Sequence, residues 1–288
     1  MNKKIRRKLV KIQRGEINGQ LIYSKLSKLQ KDEKNKEILE QIASEEAKHY
    51  ETFKRYTKTD VSQSKFQVAI YTIMAVLLGL TFTLKLLERF EGKTIIGYNK
   101  LLEYIPELAS IIKDEEEHEK RLLGLLNEKK LNYIGSIVLG LNDALVELSG
   151  ALAGFTLAIQ KSRTIALMGL ITGIAATLSM AASEYLSQRQ ETNRSEALKS
   201  SLYTGLSYVV TVVFLILPYF LITSPFVNLG VMMGIVITII LIFTFYISVA
   251  KDFSFKKRFF EMALISIGVA LLSYGIGWLV KTYFGLQI

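Results

Sequence analysis

The chain has 288 residues, half of them hydrophobic, with 36 Lys and Arg against 26 Asp and Glu. High apolar content with only 3 Pro excludes a disordered or collagen-like chain, and the absence of Cys excludes a disulfide scaffold, thiolate metal sites and cysteine nucleophiles. The charges are unevenly placed: residues 1–132 hold 26 of the basic and 19 of the acidic side chains, leaving 10 and 7 for a second part that reads as long apolar runs. Two domains in different solvents are expected, residues 1–130 and residues 131–288.

The N-terminus, MNKKIRRKLVKIQRGE, is basic but lacks the apolar core of a cleavable signal. Its cluster from Lys3 to Lys11 suits anionic lipid, so the basic balance is not read as a nucleic-acid footprint. Further along, the only two histidines each follow a Glu by three residues, in Glu46-Ala-Lys-His49 and Glu115-Glu-Glu-His118. That spacing puts both side chains on one helix face, where they can bind one metal ion. A repeat supports the pattern. RGEINGQLIYSKLSK (14–28) parallels FEGKTIIGYNKLLE (90–103), so Glu16 precedes Tyr23 by seven residues as Glu91 precedes Tyr98, and each block leads to its own Glu-x-x-His helix.

Two lone Glu and two Glu-x-x-His from four helices make up the ligand set with which a four-helix bundle holds two iron or manganese ions. Residues 8–130 resemble the rubrerythrin branch of the ferritin-like proteins. The resemblance implies a di-iron centre held by Glu16, Glu46, His49, Glu91, Glu115 and His118, with Glu88, one turn before Glu91, as an alternative or extra ligand. The absence of Cys leaves out the rubredoxin module of true rubrerythrins and its built-in reductant. The runs KDEKNKE and KDEEEHEK are expected to be mostly solvated helix faces and loops.

The segment 66–88, FQVAIYTIMAVLLGLTFTLKLLE, is apolar enough to read as a membrane span. A crossing there would put Glu16, Glu46 and His49 on the opposite side from Glu115 and His118, so the spacing instead predicts the long third helix of the bundle. It would be buried in an oligomer interface or lie on the membrane surface.

From Tyr133 onward, apolar stretches at about 133–159, 164–187, 205–223, 226–250 and 259–283 each suffice to cross a hydrocarbon core of about 30 Å. The chain is thus expected to be all-α, a cytoplasmic ferritin-like bundle followed by five transmembrane helices. Arg189, Arg194 and Lys199 follow the second stretch, and Lys251, Lys256, Lys257 and Arg258 follow the fourth, whereas the other connections carry fewer cations. The positive-inside bias therefore puts the N-terminal domain in the cytoplasm and the C-terminus outside. Ionisable residues inside spans are functional candidates. Asp143 and Glu147 lie one turn apart in GLNDALVELSGALAG, and Met180 and Glu184 in SMAASEYLS. Hard oxygen with one soft sulfur suits Fe2+ or Mn2+.

These two spans resemble the first two helices of the vacuolar iron transporter family, and the five-span layout is similar over residues 130–288. The resemblance implies a homodimer exporting Fe2+, in some members Mn2+, from the cytosol in exchange for protons, with the transport Asp and Met falling on Asp143 and Met180. Thr172 stands where plant members carry a carboxylate, and Glu147 and Glu184 stand where those members are uncharged. The short link QRQETNRSEALKSS replaces their long Glu-rich insertion. The sequence is read as a transporter with a metal-sensing, oxidising or loading domain. The alternative is a membrane-anchored ferroxidase or peroxide scavenger without transport.

Overall fold

The computed structural model describes residues 3–98, 101–102, 105–125 and 128–284, except for the side chains of residues 90–98, 123, 128–132 and 284. Among the described residues it is helical throughout, with no strand, and it divides into two compact units, Met1–Asn127 and Glu128–Ile288.

The first unit is built from α1 (Lys3–Lys28), α2 (Glu33–Thr57), α3 (Lys65–Leu77), α4 (Leu80–Tyr98) and α5 (Leu108–Gly124). Asp32 caps α2 by accepting from Asn35 N–H at 2.9 Å, and Lys58 ends it in the left-handed region at φ 51°. α1 and α2 run antiparallel: Arg6 donates to the Thr57 carbonyl, Thr57 donates to Gln13, and Gly19 lies on Glu46. Leu9, Phe53, Leu101, Ile105, Leu108 and Ile111 form a core, while Ile22, Leu26, Leu39 and Ile42 are buried elsewhere in the unit.

The single long third helix expected over 66–88 is broken. α3 ends at Leu77 and α4 starts at Leu80, because Gly79 takes φ +93°, a conformation outside the right-handed helix that favours glycine. At 13 residues α3 is too short to span, and it is absent from the five candidate spans found among the described residues.

The second unit comprises α6 (Glu128–Ile159), α7 (Ser162–Glu191), α8 (Arg194–Leu221), α9 (Pro225–Ala250) and α10 (Phe255–Phe284). Their spanning portions are 27, 30, 28, 26 and 29 residues long, above the roughly 20 that a bilayer core needs. Leu145, Leu148, Leu152, Tyr208, Leu215, Met232 and Val236 pack α6, α8 and α9 together. The outward face stays apolar, with Ile171, Leu202, Leu221, Leu264 and Leu272 exposed, as lipid contact requires. Small residues bring backbones together. A Cβ on Gly277 of α10 would strike the Gly154 carbonyl of α6, and one on Gly140 of α6 would strike the Thr204 carbonyl of α8.

Candidate metal centre

Glu16 comes from α1, Glu46 and His49 from α2, and Glu115 and His118 from α5, and all five are at least 94% buried. Glu16, Glu46, His49 and Glu115 each offer a ligand atom, all within 4.8 Å of one another. The two imidazoles lie near each other, with ring centroids 5.8 Å apart. Among the described residues, neither Nδ1 has a hydrogen-bond partner. His49 Nδ1 sits 3.5 Å from Glu16 Oε2 and 3.4 Å from Glu115 Oε1, and His118 Nδ1 sits 3.5 Å from Glu46 Oε1 and 3.6 Å from Glu115 Oε2. Glu115 therefore presents one oxygen to each histidine. Donors about 2.0–2.2 Å from one ion stand roughly 3–4.4 Å apart, so these separations leave room for a metal and are too long for good hydrogen bonds.

The opposite ring nitrogens are held by carboxylates. His49 Nε2 donates to Asp114 Oδ2 at 3.2 Å, and His118 Nε2 to Glu45 Oε2 at 2.7 Å. Carboxylates only accept, so these bonds place a proton on Nε2 and aim Nδ1 at the centre, as metal-binding histidines require. The bracing is reciprocal: the acidic residue just before Glu46 holds the histidine of α5, and the one just before Glu115 holds the histidine of α2. Arg121 Nη2 also donates to Glu45 Oε2 at 2.7 Å. Asp114 belongs to the KDEEEHEK run expected to be mostly solvated; its side chain is 47% exposed and also partners His49. Its sequence signal, an acidic residue immediately before each Glu-x-x-His, is shared by Glu45.

A buried group of this charge would be destabilising without compensation. Burial opposes a charged His49, but the Glu115 and Glu16 carboxylates outweigh it and push its pKa up to about 10. Burial likewise opposes ionised Glu115, yet His118 and His49 hold it down at about 2. The metal-free ring thus carries a proton where a divalent ion would bind. The donor set fits a pair of hard or borderline divalent ions, with Glu16, Glu46, His49, Glu115 and His118 as ligands. Glu88 is half-buried on α4, and the Glu91 side chain lies outside the described residues.

Gly19 completes the pocket. Its missing side chain makes room for Glu46, whose Oε2 would lie 3.0 Å from a Cβ there. A glycine inside a helix, three residues after a ligand Glu, was the available sequence signal.

In the second unit Asp143 is half-buried and close enough to Glu147 for their carboxyls to interact. Glu147 is exposed on the surface of the unit, and the buried Tyr208 of α8 donates to its Oε2 at 2.9 Å. Met180 is half-buried against the core. Glu184 is buried rather than solvated and accepts from Ser136 Oγ at 2.7 Å, while Thr204 Oγ1 donates to the Ser136 carbonyl. Among the described residues, Asp143, Glu147 and Glu184 do not converge into one cluster. Ser136 and Glu147 are separated by roughly 16 Å of helical rise, so the carboxylates are strung along α6.

Residues 134–198 match the model of the VIT family, and residues 4–85 match that of the ubiquinone biosynthesis protein COQ7. The first family moves metal ions across membranes, and the second is a ferritin-like di-iron family. The first match contains Asp143, Glu147, Met180 and Glu184, and the second contains Glu16, Glu46 and His49 but ends before the second Glu-x-x-His. No curated protein matches the chain.

Proposed function

We propose that the chain moves Fe2+ or Mn2+ out of the cytosol in exchange for protons, and that its ferritin-like unit senses, oxidises or loads the same metal. The observation that carries this reading is the pairing, on one chain, of a buried Glu/His ligand set with five apolar helices that bear an interacting Asp143–Glu147 pair.

In the first unit Glu16, Glu46, His49, Glu115 and His118 would hold the ions, with Glu88 or Glu91 as a further ligand. Bound iron would supply one-electron chemistry toward oxygen or peroxide. Asp114 and Glu45 keep both rings aimed, and the proton that His49 gives up on binding leaves to solvent.

In the second unit Ser136, Glu184, Asp143, Glu147 and Met180 provide oxygen and thioether groups that replace part of an ion's hydration shell along α6 and α7. Carboxylates that bind metal and proton in turn give exchange. A carboxylate at a lipid-facing helix centre costs about 2.5–3.5 kcal/mol, so the exposure of Glu147 favours a wet or protein-covered face, in keeping with a homodimer. The N-terminal unit is assigned to the cytoplasm and the C-terminus to the opposite side.

The test is Fe2+ flux into proteoliposomes under anaerobic conditions with a pH gradient. Wild type should transport and Asp143→Asn should not; equal flux in the two overturns the reading. The likeness to the COQ7 di-iron family favours a second reading, an anchored oxidase in which the spans serve only as an anchor. It requires metal-dependent O2 or peroxide consumption, no flux, and indifference to Asp143→Asn.

A further inference from the structure

α3 has two faces, and only one is accounted for. Val68 and Tyr71 are buried, and the start of the helix is tied to α1 through Asn18, which accepts from Ser64 N–H at 2.8 Å and donates to Gln67 Oε1 at 2.9 Å. Phe66, Ile70, Ile73 and Leu77, at the i, i+4, i+7, i+11 spacing of one helical stripe, are 77%, 37%, 55% and 74% exposed, and Val76 and Leu78 extend the stripe. No charged residue lies between Lys65 and Lys85. An exposed apolar stripe of this kind marks a docking surface.

We propose that α3 is an interfacial membrane helix, lying in the plane of the bilayer surface with this stripe among the upper acyl chains. Three observations select lipid as the occupant. The chain places the unit near a bilayer, since α5 ends at Gly124 and the first spanning portion begins at Tyr133. The stripe is bounded by cations, Lys58 and Lys65 before it and Lys85 and Arg89 after it, and α1 adds an exposed row with Lys3, Lys4, Arg7, Lys8 and Lys11, the flanking charge that anionic headgroups attract. The stripe is also small. Five side chains on α3 and Leu78 just past its end fall well short of the roughly 20–30 residues per side that a stable protein interface uses. The helix break at Gly79 leaves α3 as a separate short element.

The natural absence of Cys permits single-site labelling of the full chain. Spin labels at Phe66→Cys and Ile73→Cys, with Lys34→Cys at the exposed start of α2 as the solvent reference, are read in vesicles of phosphatidylethanolamine and phosphatidylglycerol. Collision with O2 and with a water-soluble nickel chelate is measured at each site. The α3 labels should shift toward O2 and away from the chelate relative to Lys34, and the shift should shrink for Ile73 when Phe66 and Leu77 are both changed to Glu. Chelate access at Ile73 equal to that at Lys34 overturns the proposal. So does protection from both reagents with dipolar broadening between labels, which assigns the stripe to a second copy.

Discussion

At the scale of single residues, the histidine nitrogens are the most informative atoms. Each Nε2 is tied to a carboxylate and each Nδ1 is aimed at two more, so the ring orientation is fixed before any metal arrives. Asp114→Asn and Glu45→Gln should each weaken metal binding by about 10–100-fold, read by titration of the metal-free protein with Co2+ or Fe2+. Gly19→Ala should push the Glu46 carboxylate out of place and weaken the same titration, with little change in helix content, because alanine suits a helix better than glycine. pH acts through His49. A divalent ion must displace the proton that the ring holds up to about pH 10, so apparent affinity should rise by up to about tenfold per pH unit below that value. In the metal-free protein the signs are opposite for the two partners. Stability from His49, whose pKa is raised from 6.5 to about 10, is fully present below 6.5 and is lost as pH rises through about 10. Stability from Glu115, lowered from 4.5 to about 2, is present above 4.5 and is lost as pH falls through about 2. Thermal melts in chelator across pH should therefore show this pair contributing most between those limits.

At the scale of elements, glycines decide where helices stop and how closely they pass. A methyl group on Gly79 would meet no atom within 4 Å, so Gly79→Ala tests backbone conformation alone. It should cost about 1–2 kcal/mol through the positive φ, seen as a lowered melting temperature of the metal-free protein. Gly277→Ala is different in kind, since its methyl would meet the Gly154 carbonyl and force α6 and α10 apart. Overpacking of this sort costs about 1–3 kcal/mol, measurable as earlier thermal aggregation in detergent. What the sequence revealed differs accordingly. Glu46, His49, Glu115 and His118 were legible because i, i+3 spacing on a helix is a local fact, and Glu16 because a repeat marked it. The break at Gly79 was not, since one glycine within VLLGLTF interrupts hydropathy too little to outweigh the apolar run around it. The bond from Tyr208 to Glu147 joins residues 61 positions apart on different helices, and no periodicity within either helix pairs them. Asp114 and Glu45 were visible only as further charges among many, because their role depends on which helix lies opposite.

At the scale of the whole molecule, the two units should be separable by variant. Glu46→Gln should abolish metal binding in the first unit, and in the proteoliposome assay it should shift the Fe2+ dependence of flux rather than remove flux. Asp143→Asn should remove flux with the first unit's metal titration unchanged. A chain in which both variants abolish both readouts would contradict the division of labour. The reciprocal bracing of the two histidines has a further consequence, in the order of synthesis. The brace for His49 sits on Asp114, some 65 residues later, so α1 and α2 emerge from the ribosome with a histidine that nothing orients. The ligand set that the proposal assigns to the centre is complete only once α5 has been made, and α6 follows α5 directly. On the proposed reading, metal capture would be deferred until the chain has begun to produce its first apolar spanning helix.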